Sequence, residues 1–366
     1  VKRTSSPRQA APPGVAAPSR HAVLSVLEAF AVGDALGMPT EFMTRREISQ
    51  RFGLVDRLLE SDESKNHPDL RKGQVTDDTE QVLALLDEYC LRGRVDSRDT
   101  AARLLRWMRE SGAVEKRYIG PSSKVALEAI GAGADPETAG QGGTTCGGVM
   151  RSPAAALFAL SRGFPLDKSV RDCLLPTHNT GPALESATAY AFALREALEG
   201  GDHAEICAAA AHGCAAGAAL APYERCGASL VARIAHFNAI APGFRNPDEV
   251  LDFLYGVYGT GLESVDVASA ALCIFLYAAE DTWLCLRMGA SLGGDTDTVA
   301  ALAGALSAAY CASRNSSRGE SGSIPREILG AILHGNGLDL QALVEKLIPE
   351  ESAGFGNGVE GKRSGL

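Results

Sequence analysis

The chain has 366 residues, 45% hydrophobic and 22% charged, which suits a globular protein with a sizeable core; this length allows one large helical domain without requiring two. The formal net charge is -10 and basic clusters are short, such as Arg45 with Arg46 and Lys362 with Arg363, so a direct nucleic-acid partner, which needs a concentrated basic face, is disfavoured. Nine scattered cysteines, none in C-x-x-C spacing, predict neither a zinc site nor a disulfide framework and fit a reducing cytoplasm.

Residues 1–20 are rich in Pro, Ala, Ser and Arg with little to bury, and read as a disordered arm. No apolar core follows Lys2 and Arg3, and no uninterrupted apolar run reaches transmembrane length, so neither Sec-type secretion nor a membrane span is expected. The folded unit is expected over 21–351, with the polar run ASRNSSRGESGS before Ile324 as a loop and 352–366 as a disordered tail.

Inside that unit helical periodicity dominates. Leu24, Leu27, Phe30 and Ala31 share one face, as do Val82, Leu83, Leu86, Tyr89 and Cys90, and as do Val299, Leu302, Ala303, Leu306 and Tyr310. No run of alternating β-branched residues stands out. The Ala- and Gly-rich segments 207–221 and 299–312 are expected as central, closely packed helices. With no fixed-period repeat, the pattern predicts an all-α, compact orthogonal bundle rather than a solenoid.

Two acidic clusters stand directly before helical runs. Thr76, Asp77, Asp78 and Thr79 precede EQVLALLDEYC, where an N-cap with acids in the first turn would be the ordinary role. Gly293, Gly294, Asp295, Thr296, Asp297 and Thr298 precede an almost purely apolar helix. Capping needs one oxygen-bearing side chain, and this cluster supplies several. Hard cations such as Mg²⁺, Mn²⁺ or Ca²⁺ need carboxylate and hydroxyl oxygens from more than one segment, and two such helix N-termini could supply them together. The D-x-D-x-[TV] pattern also occurs in haloacid-dehalogenase phosphatases, but there it ends an N-terminal hydrophobic strand, unlike LRMGASLGG near this C-terminus. Helical prenyl synthases use D-D-x-x-D, where this chain has Gln81 in place of the third acid.

Together the blocks GDALGMPTEF (33–42), GQVTDDTEQ (73–81), CGGVMRSP (146–153), Thr177 with His178, and SLGGDTDTVAALAGAL (291–306) resemble the ADP-ribosylglycohydrolase family, which includes the dinitrogenase reductase-activating glycohydrolase; they run in family order over about 270 residues. The resemblance implies an all-α bundle whose central cleft holds two Mg²⁺ ions, with Mn²⁺ as the alternative. It implies Thr76, Asp77, Asp78, Asp295, Asp297 and Thr298 as ligands, and Glu41, with Asp77, Asp78 and Asp297, as catalytic acids. It further implies that Cys146, Gly147, Gly148, Val149, Met150 and Arg151 form a glycine-rich turn lining the ADP-ribose cleft, and that His178 is a cleft histidine.

Chemically this is coherent. Glycosidic cleavage through an oxocarbenium-like state needs a positioned water, a carboxylate and leaving-group stabilisation, and backbone N–H groups of Gly147 and Gly148 could receive the pyrophosphate of an otherwise acidic protein's ligand. The implied activity is removal of ADP-ribose from a modified protein, arginine-linked ahead of serine-linked. The alternatives are hydrolysis of a free ADP-ribose derivative and an immunity-type binding protein that occludes an ADP-ribosyltransferase through the N-terminal arm.

Several residues carry ordinary structural readings beside these. Asp34 shares a face with Leu27 and reads as a buried, hydrogen-bonded structural acid, Gly33 and Gly37 as helix-packing glycines, and His203, His212 and His236 as structural or surface residues. Arg151 could serve the ligand or pair with a structural acid. Many relatives carry Asn at the position of Cys146 and a second histidine after His178, and arginine-specific relatives often carry Asp where Tyr118 stands. These departures bear on the linked amino acid and leave the acidic clusters whole.

Overall fold

A computed structural model describes residues 17–116, 118–314 and 323–349. Most of the expected N-terminal arm with its partner, the 315–322 part of the polar loop, and the 352–366 tail lie outside the described residues. Ser19 accepts a hydrogen bond from the Ala22 N–H and starts the first helix at Arg20, one residue ahead of the expected unit.

Among the described residues there are helices and turns but no strand, only an isolated antiparallel bridge between Thr145 and Glu263. The helices that carry the core are α1 (Arg20–Gly37), α2 (Asp77–Arg92), α3 (Ser97–Ser111), α4 (Gly147–Arg162), α5 (Gly181–Glu199), α6 (His203–Leu220), α7 (Ser264–Ala278), α8 (Thr282–Ser291) and α9 (Thr296–Ser313). Because LRMGAS belongs to helix α8, the strand that a haloacid-dehalogenase site requires is missing there.

The centre is the pair α1 and α9, which lie along one another. α9 is buried from Thr296 through Tyr310, as expected from its all-round apolar sequence. Small residues let the two backbones meet: a Cβ on Gly33 would stand 2.4 Å from the Ala300 carbonyl carbon, and one on Gly37 2.5 Å from the Asp297 Cα. The Thr296 hydroxyl donates to the Gly37 carbonyl at 2.9 Å, and the Thr40 hydroxyl to that of Ala290 at 2.7 Å. This packing therefore sets where the second acidic cluster stands. On the far side α5 joins α9 through the Tyr190 hydroxyl on the Leu302 carbonyl (2.8 Å), and α2 meets α4 through Tyr89 and Phe158, ring centroids 5.9 Å apart.

One expectation needs correction. Segment 207–221 is mostly α6, but α6 is peripheral: it buries Ile206, Ala209, Ala210, Gly213, Cys214 and Gly217 and leaves other alanines towards solvent. Alanine favours helix while gaining little from burial, so its abundance reports conformation and not depth. Arg20–Thr40 has the length and composition of a membrane span, but Glu28 and Asp34 interrupt it, as expected, and 83% of an 18-residue window within it is buried inside the protein.

Candidate metal centre and active site

Both acidic clusters sit at helix N-termini, and neither N-cap residue caps its helix with its side chain. Thr76 and Asp295 occupy the N-cap positions of α2 and α9, yet neither side chain accepts a hydrogen bond from its own helix. The Thr76 hydroxyl instead donates to Asp34 Oδ1 at 2.7 Å, and the Thr76 and Thr79 N–H groups also bond to the Asp34 carboxylate at 3.0 Å. Asp34 is fully buried, the structural acid expected, and it ties α1 to the start of α2.

The loop feeding α9 is forced into shape by its glycines. Gly293 and Gly294 have φ of +85° and +84°, and a Cβ on Gly294 would lie 1.8 Å from the Thr260 carbonyl oxygen. Gly294 N–H donates to the Met43 carbonyl (3.0 Å), while Phe42 N–H donates to that of Gly294 (2.7 Å). Phe42 itself holds φ +59°, unusual for a side-chain-bearing residue. This reciprocal clip brings the segment after the Met38–Thr40 turn to the N-terminus of α9.

The result is a carboxylate cluster. One oxygen each from Glu41, Asp295 and Asp297 lies within 4.8 Å of the others. The first cluster adjoins it: Asp78 feels Asp77, Asp34 and Asp295, and Asp297 feels Glu41, Asp78 and Asp295. Burial first, and mutual repulsion second, push the carboxyls of Asp77, Asp78 and Asp297 well above the ordinary 3.8, and burial raises Glu41 as well. The Thr298 hydroxyl beside Asp78 offsets a part. Asp78 Oδ1 and Asp295 Oδ2 are buried with no hydrogen-bond partner among the described residues. Acids packed so closely, with oxygens left unpaired, have the donor set that a hard cation satisfies.

Cys146 to Arg151 is not a turn. Cys146 is the N-cap of α4, and Gly147 to Arg151 form its first turns. At about 100° per residue a run of that length points all round the helix axis, so it cannot line one wall. Val149 belongs to the main apolar core and Met150 is buried; the N–H groups of Gly147 and Gly148 are among those a helix N-terminus leaves without intrahelical partners. The Cys146 thiol stands beside Asp295, and burial followed by that charge holds its pKa well above the usual value.

Arg151 is entirely enclosed and pairs with no acid directly among the described residues. Its guanidinium donates to Gln81 Oε1 at 2.8 Å, to Ser123 Oγ at 3.2 Å, to Thr177 Oγ1, and to His178 Nδ1 at 3.1 Å. Gln81 in turn donates to Asp77 Oδ2 at 2.9 Å, so Arg151 reaches the acid cluster through one amide. Since Arg151 only donates, Nδ1 of His178 is the acceptor and Nε2 carries the proton towards Thr145 Oγ1 (3.1 Å). Burial, then the Arg151 charge, hold His178 neutral, well below 6.5. A Cβ on Gly147 would stand 2.9 Å from the His178 ring, which explains the glycine there. His203, His212 and His236 are exposed and engaged in ring contacts, away from the site.

Sequence reasoning missed four contributors. His67 Nε2 bonds to Glu41 Oε2, and Asn66 Nδ2 donates to the Glu41 carbonyl; both come from an irregular loop that carries no pattern signal. Gln81 was legible only as i+4 from Asp77 on one helix face. Glu80, one turn from Asp77, accepts from Trp107 Nε1 (2.8 Å) and the Tyr118 hydroxyl (3.0 Å).

A family model described as ADP-ribosylglycohydrolase matches residues 16–354. The chain is 31% identical to the uncharacterized protein YegU of Escherichia coli (strain K12) over 78% of this chain and 86% of that protein. It is 27% identical to the ADP-ribosyl-[dinitrogen reductase] glycohydrolase of Rhodospirillum rubrum, over 80% and 86%, and 30% identical to the ADP-ribosylarginine hydrolase Tri1 of Pseudomonas putida (strain GB-1), over 76% and 67%. A solved ADP-ribosylglycohydrolase-related protein complex contains a chain that superposes with a TM-score of 0.66 at 29% identity, covering 90% of this chain and 97% of that one.

Proposed function

The chain belongs to the ADP-ribosylglycohydrolase family and is a glycosidic-bond hydrolase, and from that premise we propose that it removes ADP-ribose from a modified protein side chain, arginine-linked ahead of serine-linked. The observation that carries the metal-dependent form of this reading is the buried acid cluster with unused caps and unpaired oxygens. The ligands would be Asp77, Asp78, Asp295 and Asp297 with the hydroxyls of Thr76 and Thr298, and Glu41 beside them; we assign two Mg²⁺ ions, with Mn²⁺ as the alternative. Such ions supply orientation of ribose hydroxyls and charge stabilisation as the glycosidic bond breaks.

The chain's own groups do the rest. Glu41 Oε1 makes no hydrogen bond among the described residues and is the oxygen free to take a proton from the attacking water. The N–H groups of Gly147 and Gly148, at the positive end of α4, would receive the pyrophosphate. Arg151 and His178 act from behind, holding Gln81 on Asp77 and Thr145 in place. We further assign residues 21–351 as the hydrolase domain, and a cytoplasmic setting that fits nine free cysteines.

The test is to incubate the protein and Mg²⁺ with arginine-, serine- and glutamate-linked ADP-ribosyl proteins and to quantify free ADP-ribose. Release from the arginine linkage first supports the reading. Release only from a small ADP-ribose derivative would replace it with the alternative of a free-metabolite hydrolase.

A further inference from the structure

The backbone of Glu41 is held on several sides while its side chain has a single hydrogen-bond partner among the described residues. Its N–H donates to the Met38 carbonyl at 3.2 Å, its carbonyl accepts from Asn66 Nδ2, and the next peptide is clipped to Gly294. The carboxylate, only 13% exposed, faces Asp295 and Asp297, whose like charges push it outward. Against that push stands one partner, His67 Nε2 on Oε2.

The loop that delivers this ring is itself anchored. Ser64 Oγ accepts from the His67 N–H at 3.0 Å, the His67 carbonyl accepts from the Leu70 N–H at 3.2 Å, and Leu70 packs in a small core with Met38, Trp107 and Tyr118. His67 is therefore buried, with its side chain 6% exposed. Its bland role would be to satisfy a polar ring under a loop. Satisfaction alone, however, does not require that Asn66 hold the same residue's carbonyl from the same turn.

We propose that His67, aided by Asn66, is a positioning residue that fixes Glu41 against the aspartates, where its charge helps draw a divalent cation into the centre while Oε1 stays free for the proton. The inference rests on the metal-centre reading above and deepens it. Partners of this kind orient a carboxylate at a metal centre that would otherwise sample several rotamers, and their loss typically costs about 10–100-fold in metal affinity or activity.

The experiment is calorimetric titration of the full-length protein with Mn²⁺ alone, for wild type, His67→Phe, His67→Gln and Asn66→Ala. His67→Phe keeps ring volume and loses the donor, and is expected to weaken Mn²⁺ binding about 10–100-fold. His67→Gln restores an N–H donor and is expected to recover most of that loss, an outcome that packing alone would not produce. Wild-type affinity in His67→Phe, or a Gln variant as weak as Phe, would overturn the proposal. Should His67→Phe fail to fold, Asn66→Ala reads the same clamp without touching the core: a several-fold loss supports it and wild-type affinity overturns it. A wild-type protein that binds no Mn²⁺ would instead overturn the metal-centre reading, so the two failures are distinct.

Discussion

Asp297→Asn should make the metal-free protein more stable while removing its response to metal. One Asp297 oxygen lies within 4.8 Å of an oxygen of both Glu41 and Asp295. Two full charges at that distance repel by about 3.5 kcal/mol at an effective dielectric of about 20. The raised pKa of Asp297 and of Glu41 means that proton uptake already relieves part of the repulsion, so the gain on neutralising Asp297 is on the order of 3 kcal/mol. For a chain of 366 residues, at roughly 2 cal/mol/K per residue, this is about 4 °C in Tm. Asparagine keeps the Oδ1 acceptor that the Thr298 N–H uses at 2.9 Å, so the start of α9 is not otherwise disturbed. The assay is thermal unfolding of both proteins in chelator and in saturating Mg²⁺. The variant should melt higher in chelator, gain little from Mg²⁺ and lose hydrolysis by orders of magnitude. A variant that melts below the parent in chelator, or gains as much from Mg²⁺, would refute the reasoning.

Glu41→Gln keeps shape and removes the proton acceptor, so turnover should fall about 100-fold or more while ADP-ribose still binds, as read by steady-state rates and calorimetry; unchanged turnover would make Glu41 a structural residue. Gly294→Ala places a Cβ against the Thr260 carbonyl at φ +84°, and should cost about 3 kcal/mol or more in chemical denaturation. The pH dependence follows from the raised acids. Asp34 titrates at about 6 instead of 3.8, and Asp77, Asp78 and Asp297 lie well above 3.8, so the folded metal-free state binds more protons than the unfolded one. Their stability contribution is complete below the ordinary 3.8 and is lost as pH rises through 6 and beyond. Glu47 and Glu63, held near 2, have the opposite slope only below the ordinary 4.5. Tm in chelator should therefore fall from pH 5 to pH 8, and Mg²⁺ should reverse the fall; a Tm that rises across that window would contradict the assigned burial of the acids.

How far the sequence could be read depended on whether the relevant signal was local. The helices showed as apolar periodicity, and the acid clusters at the starts of α2 and α9 showed because they exceed what a cap needs. Asp34, Gly33 and Gly37 were legible as structural for the same reason: each lies on a patterned helix face. Depth was not legible for α6, since alanine signals helix and is indifferent to burial. The Cys146–Arg151 block was visible as a motif, but its conformation was not: glycines suggested a turn, whereas here they clear space for His178 beneath a helix start. The convergence of Glu41 with Asp295 and Asp297 joins residues about 250 positions apart, and the His67 contact comes from a loop; neither leaves a trace in spacing.

The most direct test of the account is the time course of free ADP-ribose released from an arginine-ADP-ribosylated protein by the wild-type chain, first in chelator and then after Mg²⁺ is restored. The account predicts negligible release in chelator and sustained turnover once Mg²⁺ is present. Equal release under both conditions, or none under either while the ion is bound, would contradict it.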